Sequence, residues 1–198
     1  MKKTFLKNKK NIQFLIIGLG LIGGSIAKRL SKNGFEVLAI EKNKSHLNYA
    51  KKSKITIGSS EKIDSTKKLY VIVALPPKVI INNFDKYLDF FHKADFITDC
   101  TSVKKSLLRK IKKNKLDSKF ILSHPIAGSE KSGFLNSNAD LFRDKISIIS
   151  KHNGLTIPTL QKCKEFWSEL GSKTHNLDPK SHDTVSYTHL TLPTIVGV

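Results

Sequence analysis

Gln13-Phe14-Leu15-Ile16-Ile17-Gly18-Leu19-Gly20-Leu21-Ile22-Gly23-Gly24-Ser25 is the stretch on which the fold turns. Phe14 to Ile17 is a short unbroken apolar run, the pattern of a strand buried on both faces. From Gly20 to Lys32 the spacing predicts a helix, and Asn33-Gly34 supplies its stop. Between them, Gly18, Gly20 and Gly23 form G-x-G-x-x-G. Gly18 allows a tight turn, Gly20 lets the backbone approach a pyrophosphate, and Gly23 lets the helix pack close to the strand. The N-terminus of such a helix offers N–H groups and a partial positive charge to phosphate. Leu19, Leu21 and Ile22 ride on the same turn and belong to the predicted cofactor contact.

Outward from this unit, apolar runs alternate with helical patterns. Strands are predicted over 35–40, 69–75, 96–98, 120–123 and 145–150. Helices are predicted over 45–52, 79–91, 103–113 and 156–170. This alternation predicts an α/β fold, a doubly wound, mainly parallel sheet with helices on both faces. One dinucleotide-binding domain is expected over 11–176. Glu41 closes the second strand about twenty residues after the glycine turn. A carboxylate there accepts from a ribose 2′-hydroxyl and repels a 2′-phosphate, so NAD is favoured over NADP. Lys42 and Lys44 are the opposing signal, since either can bind that phosphate.

The 198 residues suffice for one good core and part of a second domain. The formal charge of +19 raises nucleic acid and anionic membranes as partners. Only Arg29, Arg109 and Arg143 among the 35 basic residues are arginine, however, and the lysines are spread without interleaved aromatic residues. No specific nucleic acid and no membrane is expected. Met1 to Ala27 has the outline of a signal peptide, but its apolar run carries the glycine motif and the helix pattern continues past it, so a cytoplasmic protein is expected. Cys100 and Cys163 make neither a disulfide framework nor a metal spacing, and no metal is expected. Nothing near Cys100 in sequence lowers its pKa, which argues against a thiol nucleophile.

The second informative stretch is Ser123-His124-Pro125-Ile126-Ala127-Gly128-Ser129-Glu130. Pro125 is expected to stop the strand at His124. Ligands of open α/β sheets bind outside the carboxyl ends of the strands. That places the His124 imidazole beside the nicotinamide end of a bound dinucleotide, where Ala74, Leu75 and Pro76 also end a strand. In Asp99-Cys100-Thr101-Ser102-Val103-Lys104, Ser102 either caps the following helix or serves chemistry, and both hold if its hydroxyl also bonds His124. His46, His92, His152 and His175 lack such a setting.

These motifs, with Ala139-x-Leu141-Phe142, Trp167-x-x-Leu170-Gly171 and His182-Asp183, resemble the prephenate dehydrogenase family in order and spacing over about Asn11 to Asp183. The resemblance implies NAD-dependent oxidative decarboxylation of prephenate to 4-hydroxyphenylpyruvate in tyrosine biosynthesis, or of arogenate in some relatives. It makes His124 the catalytic base toward the substrate hydroxyl and Ser102 the serine that orients it and touches cofactor and substrate. It adds Gly128, Glu130 and His182 to the substrate contacts. A histidine, titrating near neutrality, suits removal of a proton as hydride leaves the same carbinol. The family continues after His-Asp with a helical domain that forms the homodimer, absent from this sequence. Residues 177–184 are expected to begin it. Residues 185–198, with Tyr187-Thr188-His189-Leu190-Thr191-Leu192-Pro193-Thr194, resemble a translated sequencing adapter, and the natural protein is expected to continue differently. Little activity is therefore expected of the chain as written. Two further readings stand beside this one: another β-hydroxyacid-type dehydrogenase, which Ser123-His124-Pro125 opposes, and a non-catalytic nucleotide-binding module.

Overall fold

Alternation along the strands decides the layering in this computed structural model, which describes residues 6–128 and 132–177. In β1 (Ile12–Ile17) every residue is buried. Phe14 and Ile16 join one apolar cluster and Leu15 and Ile17 the other. A strand with two buried faces needs cover on both. On the first face lie α1 (Leu21–Lys32) and α6 (Ile157–Glu169), through Ile26, Ala27, Leu30, Cys163, Phe166 and Trp167. On the second lie α3 (Pro77–Asn83), α4 (Leu88–Lys93) and α5 (Lys105–Lys113), through Ile80, Phe91, Leu107 and Ile111. The remaining elements are β2 (Glu36–Ile40), α2 (Lys44–Lys52), β3 (Lys68–Val73), β4 (Phe96–Asp99), β5 (Phe120–Ile126), β6 (Ile146–Ser150) and β7 (Lys173–Leu177).

The seven strands lie in the order β2-β1-β3-β4-β5-β6-β7. All neighbouring pairs are parallel except β5 and β6, where His124 lies opposite Ile148 in an antiparallel register. This is the Rossmann-type, doubly wound, mainly parallel sheet expected from the sequence. At its outer edge β2 is not bare: Ile57 N–H donates to the Val37 carbonyl (2.8 Å) and Ala39 N–H to that of Gly58 (3.1 Å). At the other described edge β7 reads Lys-Thr-His-Asn-Leu, with no fully buried residue.

Three local expectations are corrected, and one strand was not expected. The helix predicted over 79–91 is two helices joined by a 3-10 turn at Phe84–Tyr87. The backbone leaves α-helical geometry at Asn83, where φ is −117° and ψ 14°. Helix α5 begins at Lys105, and its N-cap position is Lys104, so Ser102 does not cap it. Strand β5 runs through Pro125 to Ile126. The Ser123 N–H points toward β4, where it meets the Asp99 carboxylate, so two residues on the Pro125 nitrogen faces the same side beyond the last residue of β4. There is no ladder partner to lose there. The unexpected strand is β7, which has no apolar alternation to announce it. The expected features at Glu130, at His182 and over 185–198 lie outside the described residues.

Candidate functional site

Strand order reverses between β1 and β3: the chain steps from β1 to β2 on one side, and β3 lies on the other. A crevice opens at the carboxyl ends of such strands. Gly18 N–H donates to the Ile40 carbonyl (2.8 Å) and Ala74 N–H to that of Ile17 (2.9 Å), which stitches the turn to both neighbours. Gly18 has φ +97°, and a Cβ there would stand 2.7 Å from the Ala74 oxygen. A Cβ on Gly23 would stand 1.9 Å from the Gly18 oxygen. The roles predicted for these two glycines, turn and close packing, match the geometry. Gly23→Ala is expected to force α1 away from the turn, lowering stability by about 1–3 kcal/mol and weakening dinucleotide binding in a calorimetric titration. Unchanged affinity would show that this contact does not shape the turn.

Gly20 stands at the N-cap of α1, supplies no side-chain cap, and has nothing within 4 Å of the place its Cβ would take. The approach to the helix N-terminus is open there. Leu19 contributes by its backbone alone, because its side chain is fully buried. Its N–H donates to Glu41 Oε2 (2.6 Å), while Glu41 Oε1 accepts from Asn43 N–H (2.8 Å). Asn43 in turn caps α2 through Ser45 N–H and His46 N–H. The carboxylate is thus tethered to the glycine turn itself. Lys42 and Lys44 flank it as exposed residues.

A cavity of about 420 Å³ gathers the other predicted residues. Gly20, Leu21 and Ile22 form one wall, Ala74, Leu75 and Pro76 a second, and Ser102 and His124 a third. Gly18, Leu19, Gly23 and Glu41 lie outside this lining and Gly128 is exposed beyond β5, so sequence spacing brings eight of the named residues to one place and leaves these at its margins. Ser102 and His124 face the same space, but no hydrogen bond joins them. Sequence reasoning missed Pro77, Cys100, Thr101, Ser132 and Gly133 in the wall. The first three come directly after predicted strand ends, and that position was the available signal. Burial, then the negative charge of Asp99, pushes the Cys100 thiol well above its ordinary range. It is expected to stay protonated at neutral pH and to alkylate with iodoacetamide more slowly than free cysteine. Faster alkylation would restore it as a nucleophile.

Behind the Ser102–His124 wall sits a fully buried ion pair. Lys104 Nζ donates to Asp99 Oδ2 (2.7 Å) and to the Ser123 carbonyl (2.7 Å), and both side chains are 0% exposed. From sequence alone, Lys104 belongs to a basic helix and carries no sign of burial.

Comparison with known proteins agrees with this geometry. The family model described as prephenate dehydrogenase, nucleotide-binding domain, matches residues 26–176. The chain belongs to the prephenate dehydrogenase family. A prephenate dehydrogenase of Lactococcus lactis subsp. cremoris is 30% identical over 197 residues, spanning 93% of this chain and 53% of that protein. A cyclohexadienyl dehydrogenase of Zymomonas mobilis is 24% identical over 186 residues, spanning 92% of this chain and 64% of that protein. Among solved structures, the prephenate dehydrogenase of Aquifex aeolicus in complex with hydroxyphenyl propionate and NAD+ superposes with a TM-score of 0.76 at 26% identity. That match covers 87% of this chain and 62% of the other. The chain therefore spans between half and two thirds of the length of these family members.

Proposed function

We propose that this chain is the cofactor half of an NAD-dependent prephenate dehydrogenase, with His124 as the base that takes the substrate hydroxyl proton. The observation that carries the reading is the single cavity shared by the glycine turn, the Ala74–Pro76 strand end, Ser102 and His124. The residues fit a dinucleotide: a turn with no room for a Cβ at Gly18 or Gly23, an open helix N-terminus at Gly20, and a carboxylate tethered beside it. Gly20, Leu21 and Ile22 would meet the pyrophosphate by backbone N–H groups, Glu41 the ribose hydroxyls, and Ala74, Leu75, Pro76 and Ser102 the nicotinamide end. NAD, when bound, supplies the hydride acceptor.

The chain's own part is to orient and to move one proton. The His124 imidazole accepts the proton of the substrate hydroxyl as its carbon is oxidised, and Ser102, by a hydrogen bond made in the loaded site, holds the ring. Gly128, Glu130 and His182 would complete the substrate contacts. Loss of carbon dioxide then yields an aromatic ring, a strongly downhill outcome that makes the step irreversible. The whole protein is taken as a homodimer working in the cytoplasm. No helix among the described residues is long and apolar enough to cross a membrane.

Cofactor choice gives a direct test on this chain. Fluorescence titration is expected to show tighter binding of NAD than NADP, and Glu41→Ala is expected to narrow the gap. Tighter NADP binding by the unmodified chain would sink the role given to Glu41. In the full-length protein, NADH formation followed by absorbance with prephenate and with arogenate assigns the substrate. No turnover of either would overturn the proposed activity.

A further inference from the structure

The parallel ladder between β4 and β5 is short. Ile97 pairs with Phe120 and Thr98 with Ile121, and there the register ends. Beyond it the two segments bear the two parts of one cavity wall: residues 99–104 carry Ser102 and residues 122–124 carry His124. What spans them is side-chain chemistry. Asp99 Oδ1 accepts the Ser123 N–H (3.0 Å), and the Ser123 hydroxyl donates to the Asp99 carbonyl (2.7 Å). Asp99 Oδ2 accepts from Thr101 N–H (3.0 Å), from the Thr101 hydroxyl, and from Lys104, whose ammonium also holds the Ser123 carbonyl. Ser102 is thus bracketed by two residues of the network, and His124 directly follows a third. A buried ion pair adds little stability over apolar residues of the same volume, so stability alone gives little reason for one here.

We propose that the Asp99–Lys104 pair is a positioning device that sets the separation of Ser102 and His124. It takes over from the β4–β5 ladder where backbone pairing stops. This rests on the reading of His124 as the base.

The test uses the double variant Asp99→Asn/Lys104→Met, which removes both charges together and leaves neither unpaired. In the full-length enzyme, NAD affinity is expected to stay within about twofold while kcat falls roughly 10- to 100-fold, the scale of a displaced catalytic group. The KM for prephenate should change less than kcat, and the histidine limb of the pH–rate profile should persist. In the 198-residue chain, amide exchange at 100–104 and 122–124 should accelerate together, with β1 and α1 unchanged. Asp99→Glu is the second variant, for use if the double variant does not fold. It keeps the charges and lengthens one arm, and it should lower kcat with NAD binding retained. A folded variant of either kind with kcat within about twofold of the parent overturns the proposal, as does unchanged exchange in the two segments. His124→Asn separates the two failures. If that variant keeps its kcat, the reading of the site has failed. If it loses kcat while both pair variants are normal, only the positioning role has failed.

Discussion

Replacing His124 with asparagine in the full-length enzyme is expected to cut kcat by roughly 10²–10⁴ while NAD binding stays nearly intact. The argument is geometric. His124 lines the cavity from the β5 side, across from the helix end that would hold the pyrophosphate. Asparagine keeps much of the shape and some hydrogen bonding but cannot take a proton near neutrality. The loss should therefore fall on the transition state and leave ground-state cofactor binding alone. The rate of the parent enzyme should rise with pH through the imidazole titration, because the neutral ring is the base, and the variant should lose that dependence. Ser102→Ala should cost less, since it removes an orienting bond and not the base. A near-normal kcat in His124→Asn, or a collapse of NAD binding with it, would make His124 a structural residue.

Trp167→Ala is expected to destabilise the domain by about 3–5 kcal/mol. Trp167 is fully buried on α6, edge-on to Phe166 with ring centroids 5.1 Å apart and to Phe142 at 5.6 Å. Phe166 continues the stack onto Phe14 of β1 and Phe96 of β4. Removing the indole empties the centre of the layer that holds α6 against the sheet. For a domain of this size the thermal midpoint should drop by roughly 6–20 °C. Circular dichroism melts read it directly. A drop under about 2 °C would mean that α6 is not part of the cooperative core. Below the new midpoint NAD affinity should be little changed, because the glycine turn is braced by Ala74 and Ile40 and not by the indole.

The first unit was legible because two independent signals coincide: an apolar run fixes the strand, and glycines fix the turn and helix start after it. The same held for Ala74–Pro76, where a strand ends in prolines. Legibility failed where the backbone departs locally from a regular pattern or where a charge is hidden. The backbone leaves helical geometry at Asn83, within a segment whose apolar periodicity supported one helix. Pro125 failed to end a strand because only the neighbouring strand's length decides whether its missing N–H matters. Lys104 gave no hint of burial because lysine usually faces solvent, and only tertiary structure reveals the aspartate and the carbonyl that hold it. Strand β7 was silent because an exposed, polar edge strand buries no alternating face.

That silence has a use. An open sheet presents unpaired N–H and carbonyl groups at each flank, a template on which a second molecule can extend the sheet into an aggregate. The two flanks among the described residues refuse it by different means. Beside β2, the backbone of Ile57 and Gly58 already occupies the bonds a visitor would make. Along β7, Lys173, His175 and Asn176 offer an arriving strand a hydrated surface with little apolar area to bury. In a cell crowded with partly folded chains, such flanks favour a protein that stays dispersed at high concentration.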